Sequence, residues 1–229
     1  EEGASRVSTV ATFPYTVKKS NLQTMTLNSS ASGSGGKGWT WIAHDIALGL
    51  GVQQLFGDVT AVTRILSQDK ETIRDSQYGL VGTLEPLEPA VSYKVESTGA
   101  SVPVEGAAFN PSNTTSIEKG WSWIGFPLSQ PVNVAEVLAD GVATQGDMIV
   151  GQGGFTTYGD NGWTGDLTYV TPGLGYLYFN AGSPKDLRLN TSTAFTPVSK
   201  SPSRSSDAPW RPDRYAYPSV MPVVAEVVR

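Results

Sequence analysis

The segment Gly38-Trp39-Thr40-Trp41-Ile42 returns 82 positions later as Gly120-Trp121-Ser122-Trp123-Ile124. The correspondence then continues in order. Val52, Leu55 and Phe56 answer Val134, Val137 and Leu138, and Arg64-Ile65-Leu66-Ser67-Gln68 answers Met148-Ile149-Val150-Gly151-Gln152. Gly82-Thr83-Leu84 answers Gly165-Asp166-Leu167, and Pro89 with Tyr93 answers Pro172 with Tyr176. The offset drifts only between 82 and 84. Collinear blocks at a nearly fixed spacing point to an internal duplication, which constrains the fold to two versions of one unit. The shared positions are mostly apolar, Gly or Pro, the residues that make folds; the unshared ones are polar.

Local patterns predict mainly β structure with one short helix per module, a β-rich α+β class. Trp39 and Trp41 stand at i and i+2, so they project from one face of a strand. Their recurrence favours core anchors over ligand contacts, since a tryptophan can bury roughly 150–250 Å² in a small β module. Val52, Leu55 and Phe56 have helical spacing. In the second copy Asn133 reads as a helix N-cap, with Glu136 completing a capping-box pattern. Gly159-Asp160-Asn161-Gly162 reads as a hairpin turn. The expected organisation is 1–37, N-terminal strands and a Ser/Gly linker; 38–110, the first module; 111–190, the second; and 191–229, a Ser/Pro linker ending in a β-prone strand.

Composition narrows the setting. Gly 25, Pro 15 and a charged share of 16% fit an extracellular β protein better than a helical cytosolic enzyme. Cys is absent, which removes disulfides, thiolate metal sites and a Cys nucleophile. A net charge of -5, with no basic run longer than Lys18-Lys19, argues against a nucleic-acid partner. No apolar stretch is long enough to span a membrane. The start at Glu1-Glu2-Gly3 suggests a processed or excised segment. Asn28, Asn113 and Asn190 head N-glycosylation sequons.

Reactive chemistry finds little support. His44 beside Asp45 is replaced by Phe126-Pro127 in the second copy, so a Ser-His-Asp arrangement is not a shared function. Glycoside hydrolysis needs paired carboxylates. Asp140, Asp147, Asp160 and Asp166 lie beside Gly or in turn-like sequence, where Asp serves caps and turns. Asp160-Asn161 lacks the Asp-x-Asp-x-Asp pattern of a calcium loop, and Gly151-Gln152-Gly153-Gly154 lacks the Lys of a phosphate loop. No metal or cofactor is expected. Trp163, missing from the first copy and next to the hairpin turn, is the leading sugar-stacking candidate, with Tyr158 and Tyr169 near it.

The second copy resembles a module seen repeatedly in large secreted and cell-surface proteins of bacteria and some algae-like microbes. The elements carrying the resemblance are Gly120 to Ile124, Val134 to Leu138, Gly146 to Ile149, Gly162 to Leu167 and Pro172 to Tyr176. The first copy departs from the pattern, with Leu80 in place of Trp163 and Ala90 in place of Gly173. The tail resembles the opening strand of a β-sandwich module that often follows in such proteins. The resemblance implies an accessory module and carries no catalytic residues.

The functional expectation is a non-catalytic structural or adhesive segment, extracellular or on the cell surface, whose partners are neighbouring copies or domains of the same surface protein. Val220, Met221, Val223, Val224 and Val227 form a candidate assembly strand for β-strand addition, as in a repeating subunit of a fibre or layer. The alternative is a carbohydrate-binding module that uses exposed aromatics on glycans.

Overall fold

A computed structural model describes residues 20–29, 36–109 and 115–190, all within one compact unit, Glu1–Thr196. The candidate assembly strand from Val220 to Val227, residues 1–19 of the expected N-terminal strands and the sequon at Asn113 lie outside the described residues. The chain is mainly β, with two short helices.

The first repeat comprises β1 (Ser20–Leu27), β2 (Gly38–Ile42), α1 (Val52–Phe56), β3 (Val62–Leu66), β4 (Glu71–Asp75), β5 (Gly79–Gly82), β6 (Tyr93–Ser97) and β7 (Ala100–Ala107). The second comprises β8 (Thr115–Ile117), β9 (Gly120–Gly125), β10 (Val132–Asn133), α2 (Val134–Val137), β11 (Met148–Gly151), β12 (Gly154–Gly159), β13 (Gly162–Gly165), β14 (Tyr169–Val170), β15 (Gly175–Asn180) and β16 (Lys185–Leu187). Each repeat holds an antiparallel five-stranded sheet. Their orders are β2-β6-β3-β4-β5 and β9-β15-β11-β12-β13, the same order strand for strand. A two-stranded ribbon accompanies each sheet, β1-β7 in one repeat and β8-β16 in the other. The first repeat therefore starts before Gly38, because β1 pairs along its length with β7 and places Met25 and Leu27 in the core.

Each repeat has its own core. Ile42, Phe56, Ile65, Val95 and Val104 close the first, and Ile124, Val137, Ile149, Tyr178 and Leu187 the second. The helices start differently. Asn133 caps α2 by accepting the Ala135 N–H at 2.9 Å, as expected from the sequence. α1 begins after Gly51 with no side-chain cap of its own. Glu85 takes the role instead, accepting the Val52 N–H at 2.8 Å, and a carboxylate also suits the positive end of a helix. Arg74 binds the carbonyls at the other end of α1, among them Phe56 O at 2.7 Å and Gly57 O at 3.1 Å.

The Trp-x-Trp pairs are not core anchors. Thr40 and Ile42 point inward from β2 and are buried, so strand alternation sends Trp39 and Trp41 to the opposite face. Ile124 likewise turns inward from β9, while Trp121 stays 45% exposed against Phe179. Trp163, the expected surface aromatic, instead packs against the second core. Trp163 remains half-buried, with part of its surface lining a hollow.

The outward tryptophans lie where the repeats meet, and the junction is reciprocal. The Ala43 N–H donates to Gly173 O at 3.0 Å, and the Gly125 N–H donates to Ala90 O at 2.8 Å. Ile42 bridges Leu174, and Ile124 bridges Val91. Gln152 accepts the Trp41 N–H at 3.1 Å and donates to Trp39 O at 2.5 Å. Gln68 accepts the Trp123 N–H at 3.2 Å and donates to Trp121 O at 3.0 Å. Residues in each pair of contacts differ by the same offset of 82 to 84 that relates the sequences. Contact of i with j′ and of i′ with j defines a two-fold interface, realised here inside one chain. The side chains then break the symmetry. Lys94 of the first repeat lies over both Trp41 and Trp123, 4.2 and 4.5 Å from the ring centres, and its counterpart in the second repeat is Leu177.

Candidate functional site

Beside this junction lies an open groove of about 630 Å³, lined from both repeats. Trp41 and Asn28 come from the first; Gln152, Asp166, Tyr169 and Leu174 come from the second. Each is held by local structure. Asn28 is fixed through its backbone, its N–H donating to Thr40 Oγ1 at 2.8 Å and its carbonyl accepting from Ser97 Oγ at 3.0 Å. Gln152 sits in the turn between β11 and β12, tied to the backbone of β2. Tyr169 is on β14, which pairs with β10 just before α2. The loop behind it is pinned where the Tyr176 hydroxyl accepts the Thr171 N–H at 2.8 Å. Burial pushes that phenol's pKa up, so it stays protonated.

The groove mixes apolar and polar surface. Tyr169 is 56% exposed and Leu174 44%, while Trp41 is half-buried with Lys94 already over its ring. Tyr169 therefore offers the freer aromatic face. Gly151 and Gly154 keep the floor low. A Cβ on Gly154 would come within 2.8 Å of Asp166 Oδ1, so glycine there leaves room for the carboxylate. Asp166 Oδ1 accepts the Phe155 N–H at 2.8 Å. Among the described residues no second carboxylate lines this groove.

The three expected sugar-stacking residues separate. Tyr158 and Trp163 meet edge to face, 5.2 Å between ring centres, in a smaller hollow of about 270 Å³ with Asp140 and Asn161. Tyr169 belongs to the groove. Asn28, heading one of the sequons, lines the groove too, and Asn190 is half-buried near α2, its N–H donating to Val137 O at 2.9 Å. Sequence reasoning missed Trp41, Gln152 and Leu174 as groove residues. A signal existed for Gln152: Gln68 and Gln152 are an identical polar pair at the end of matched blocks whose other polar residues, Arg64 and Ser67, are not shared.

The other polar candidates are structural. The buried Asp147 carboxylate receives the Tyr178 hydroxyl at 2.6 Å, the Thr144 N–H at 2.8 Å and the Ala181 N–H at 2.9 Å, and pairs with Lys185. Desolvation works to raise its pKa, but Lys185 and these donors outweigh it and hold it below the usual carboxylate value. His44 is buried, with Nε2 donating to Leu87 O at 2.9 Å, and burial lowers its pKa. A neutral, buried imidazole bonded to a backbone carbonyl is poorly placed for proton transfer to a ligand. Among the described residues no cluster of acidic or His side chains is arranged to hold a metal, and no helix is long and apolar enough to cross a membrane.

No family model matches the chain, and no curated protein or solved structure matches it significantly.

Proposed function

We propose that this chain is a non-catalytic, glycan-binding adhesive segment of an extracellular protein, and that it seats its ligand in the groove between the repeats. The observation that carries the reading is the lining itself. An exposed tyrosine ring and a leucine stand beside carbonyl, amide and carboxylate groups in one open groove. Sugars present the same two kinds of surface, C–H faces that stack on aromatic rings and hydroxyls that need hydrogen-bond partners. A single carboxylate fits binding better than hydrolysis, which needs two flanking the scissile bond.

Affinity electrophoresis of the full chain through gels containing neutral polysaccharides tests this. The chain is expected to be retarded, and Tyr169→Ala is expected to weaken retardation about tenfold, roughly 1.4 kcal/mol. Trp163→Phe, in the other hollow, is expected to stay within about twofold of the parent. Retardation sensitive to Trp163 and indifferent to Tyr169 would relocate the site. Free migration through every gel, with no hit on a glycan array, would end the reading.

A further inference from the structure

The two-fold junction maps the groove onto a second, equivalent position, and the two positions are not alike. Where the groove has Gly153-Gly154, the first repeat has Asp69-Lys70. Where it has Thr168-Tyr169 and Thr171, the first repeat has Glu85-Pro86 and Glu88. The matching is anchored by shared hydrogen bonds. Tyr93 OH accepts the Glu88 N–H at 2.6 Å just as Tyr176 OH accepts the Thr171 N–H at 2.8 Å. Thr83 N–H donates to Glu71 O at 2.9 Å, and Asp166 N–H to Phe155 O at 3.1 Å. One position therefore keeps glycines and an exposed tyrosine. The other carries three carboxylates and an ammonium, with Glu85 committed to the start of α1.

Charge at the open position is just as uneven. Among the described residues that line the groove, Asp166 is the single charged one. No Arg or Lys there offers the forked or ammonium donors that recognise carboxylate or sulfate. A ligand anion would meet a like charge at Asp166, with Lys94 stacked over Trp41 and outside the lining, while a ligand hydroxyl or ammonium would meet an acceptor. Resting on the glycan reading of the groove, we propose that it takes one neutral or amino-bearing oligosaccharide per chain and excludes uronate-bearing or sulfated ones. The equivalent position carries Asp69, Lys70, Glu85 and Glu88 in place of the glycines and tyrosine, which sets one such groove per chain, and Asp166 sets the selection by charge.

Calorimetric titration of the full chain with three hexamers tests this: a β-1,4-glucan, its glucosamine counterpart and an α-1,4-galacturonate. The expected result is one ligand per chain for the first two. The amine-bearing hexamer should bind at least about fivefold tighter than the neutral one at low salt, with the gap closing as salt screens the charge. The galacturonate should bind at least about tenfold more weakly than the neutral hexamer, as expected for unscreened like charges. Asp166→Asn keeps an acceptor for the Phe155 N–H. It should erase the preference for the amine and bring the galacturonate to within about threefold of the neutral hexamer. Equal binding of galacturonate and glucan by the parent chain, an unchanged ranking in Asp166→Asn, or two ligands per chain would overturn the inference. Failure of all three hexamers to bind would instead overturn the glycan reading beneath it.

Discussion

His44 shows how differently the repeats use equivalent positions. Its counterpart is Phe126, an aromatic in the second core packed edge to face on Tyr176. The first repeat puts an imidazole in the same place, satisfies Nε2 with the Leu87 carbonyl and leaves Nδ1 buried with no hydrogen-bond partner. Burial is the largest influence on this ring and favours the neutral form, so its folded pKa falls below the ordinary 6.5. The sign of the pH effect follows. Near pH 6.5 the unfolded chain begins to bind a proton that the folded chain still refuses. Stability is then full above that pH and is lost as pH falls from it through the lower folded value. His44→Phe, which installs the second repeat's residue, is expected to flatten this slope below pH 6.5. Urea unfolding at a series of pH values measures it; an unchanged slope would place the titration elsewhere.

Among the elements, the turns between β3 and β4 and between β11 and β12 do more than reverse the chain. Each delivers a glutamine that pairs with the Trp-x-Trp strand of the other repeat through both ends of its amide. A strand edge leaves N–H and C=O groups unpaired, and each amide satisfies one of each. Gln68→Ala and Gln152→Ala are therefore expected to destabilise the chain by similar amounts, about 1 kcal/mol each. Only Gln152→Ala should also weaken glycan binding, since only Gln152 lines the groove. Chemical denaturation beside affinity electrophoresis separates the two effects, and a large inequality in the stability losses would argue against a reciprocal junction.

Much of this element structure was legible in advance. The β9 strand, the cap on α2 and the hairpin turn at Gly159 to Gly162 followed from alternation, capping and turn chemistry. The strand β4 did not, because Glu71, Arg74 and Asp75 give it a charged surface and only Thr72 turns fully inward. The ribbon partner β7 was hidden by Pro103, Glu105 and Gly106, residues that normally interrupt strands but are tolerated in a two-stranded edge. The tryptophans misled for a different reason. Alternation says that Trp39 and Trp41 share a face, but not which face is inward. The apolar bulk of Trp outweighed a modest Thr40 that is in fact buried. The groove was the least legible feature, since its two walls are more than 100 residues apart in sequence, as Trp41 and Gln152 are.

At the scale of the whole molecule, two sheets of identical strand order meet across a junction in which every backbone contact named above has its mate. Two repeats docked this way have one set of fold-making residues and two sets of surface residues free to diverge. At the equivalent positions the first repeat carries Asp69, Lys70, Glu85 and Glu88. The second has glycines at 151 and 153–154 along the lining and an exposed tyrosine on the neighbouring wall. On the proposed reading, the symmetric junction builds the groove, and the local loss of symmetry sets what it binds.

Chemical-shift mapping of backbone amides during titration of the full chain with a neutral oligosaccharide tests the central claim most directly. The account predicts perturbations at Trp41 in the first repeat together with Gly151–Gly154 and Tyr169–Leu174 in the second, and quiet amides around Trp163 and Tyr158. Perturbations confined to the hollow at Trp163, or to one repeat alone, would contradict it.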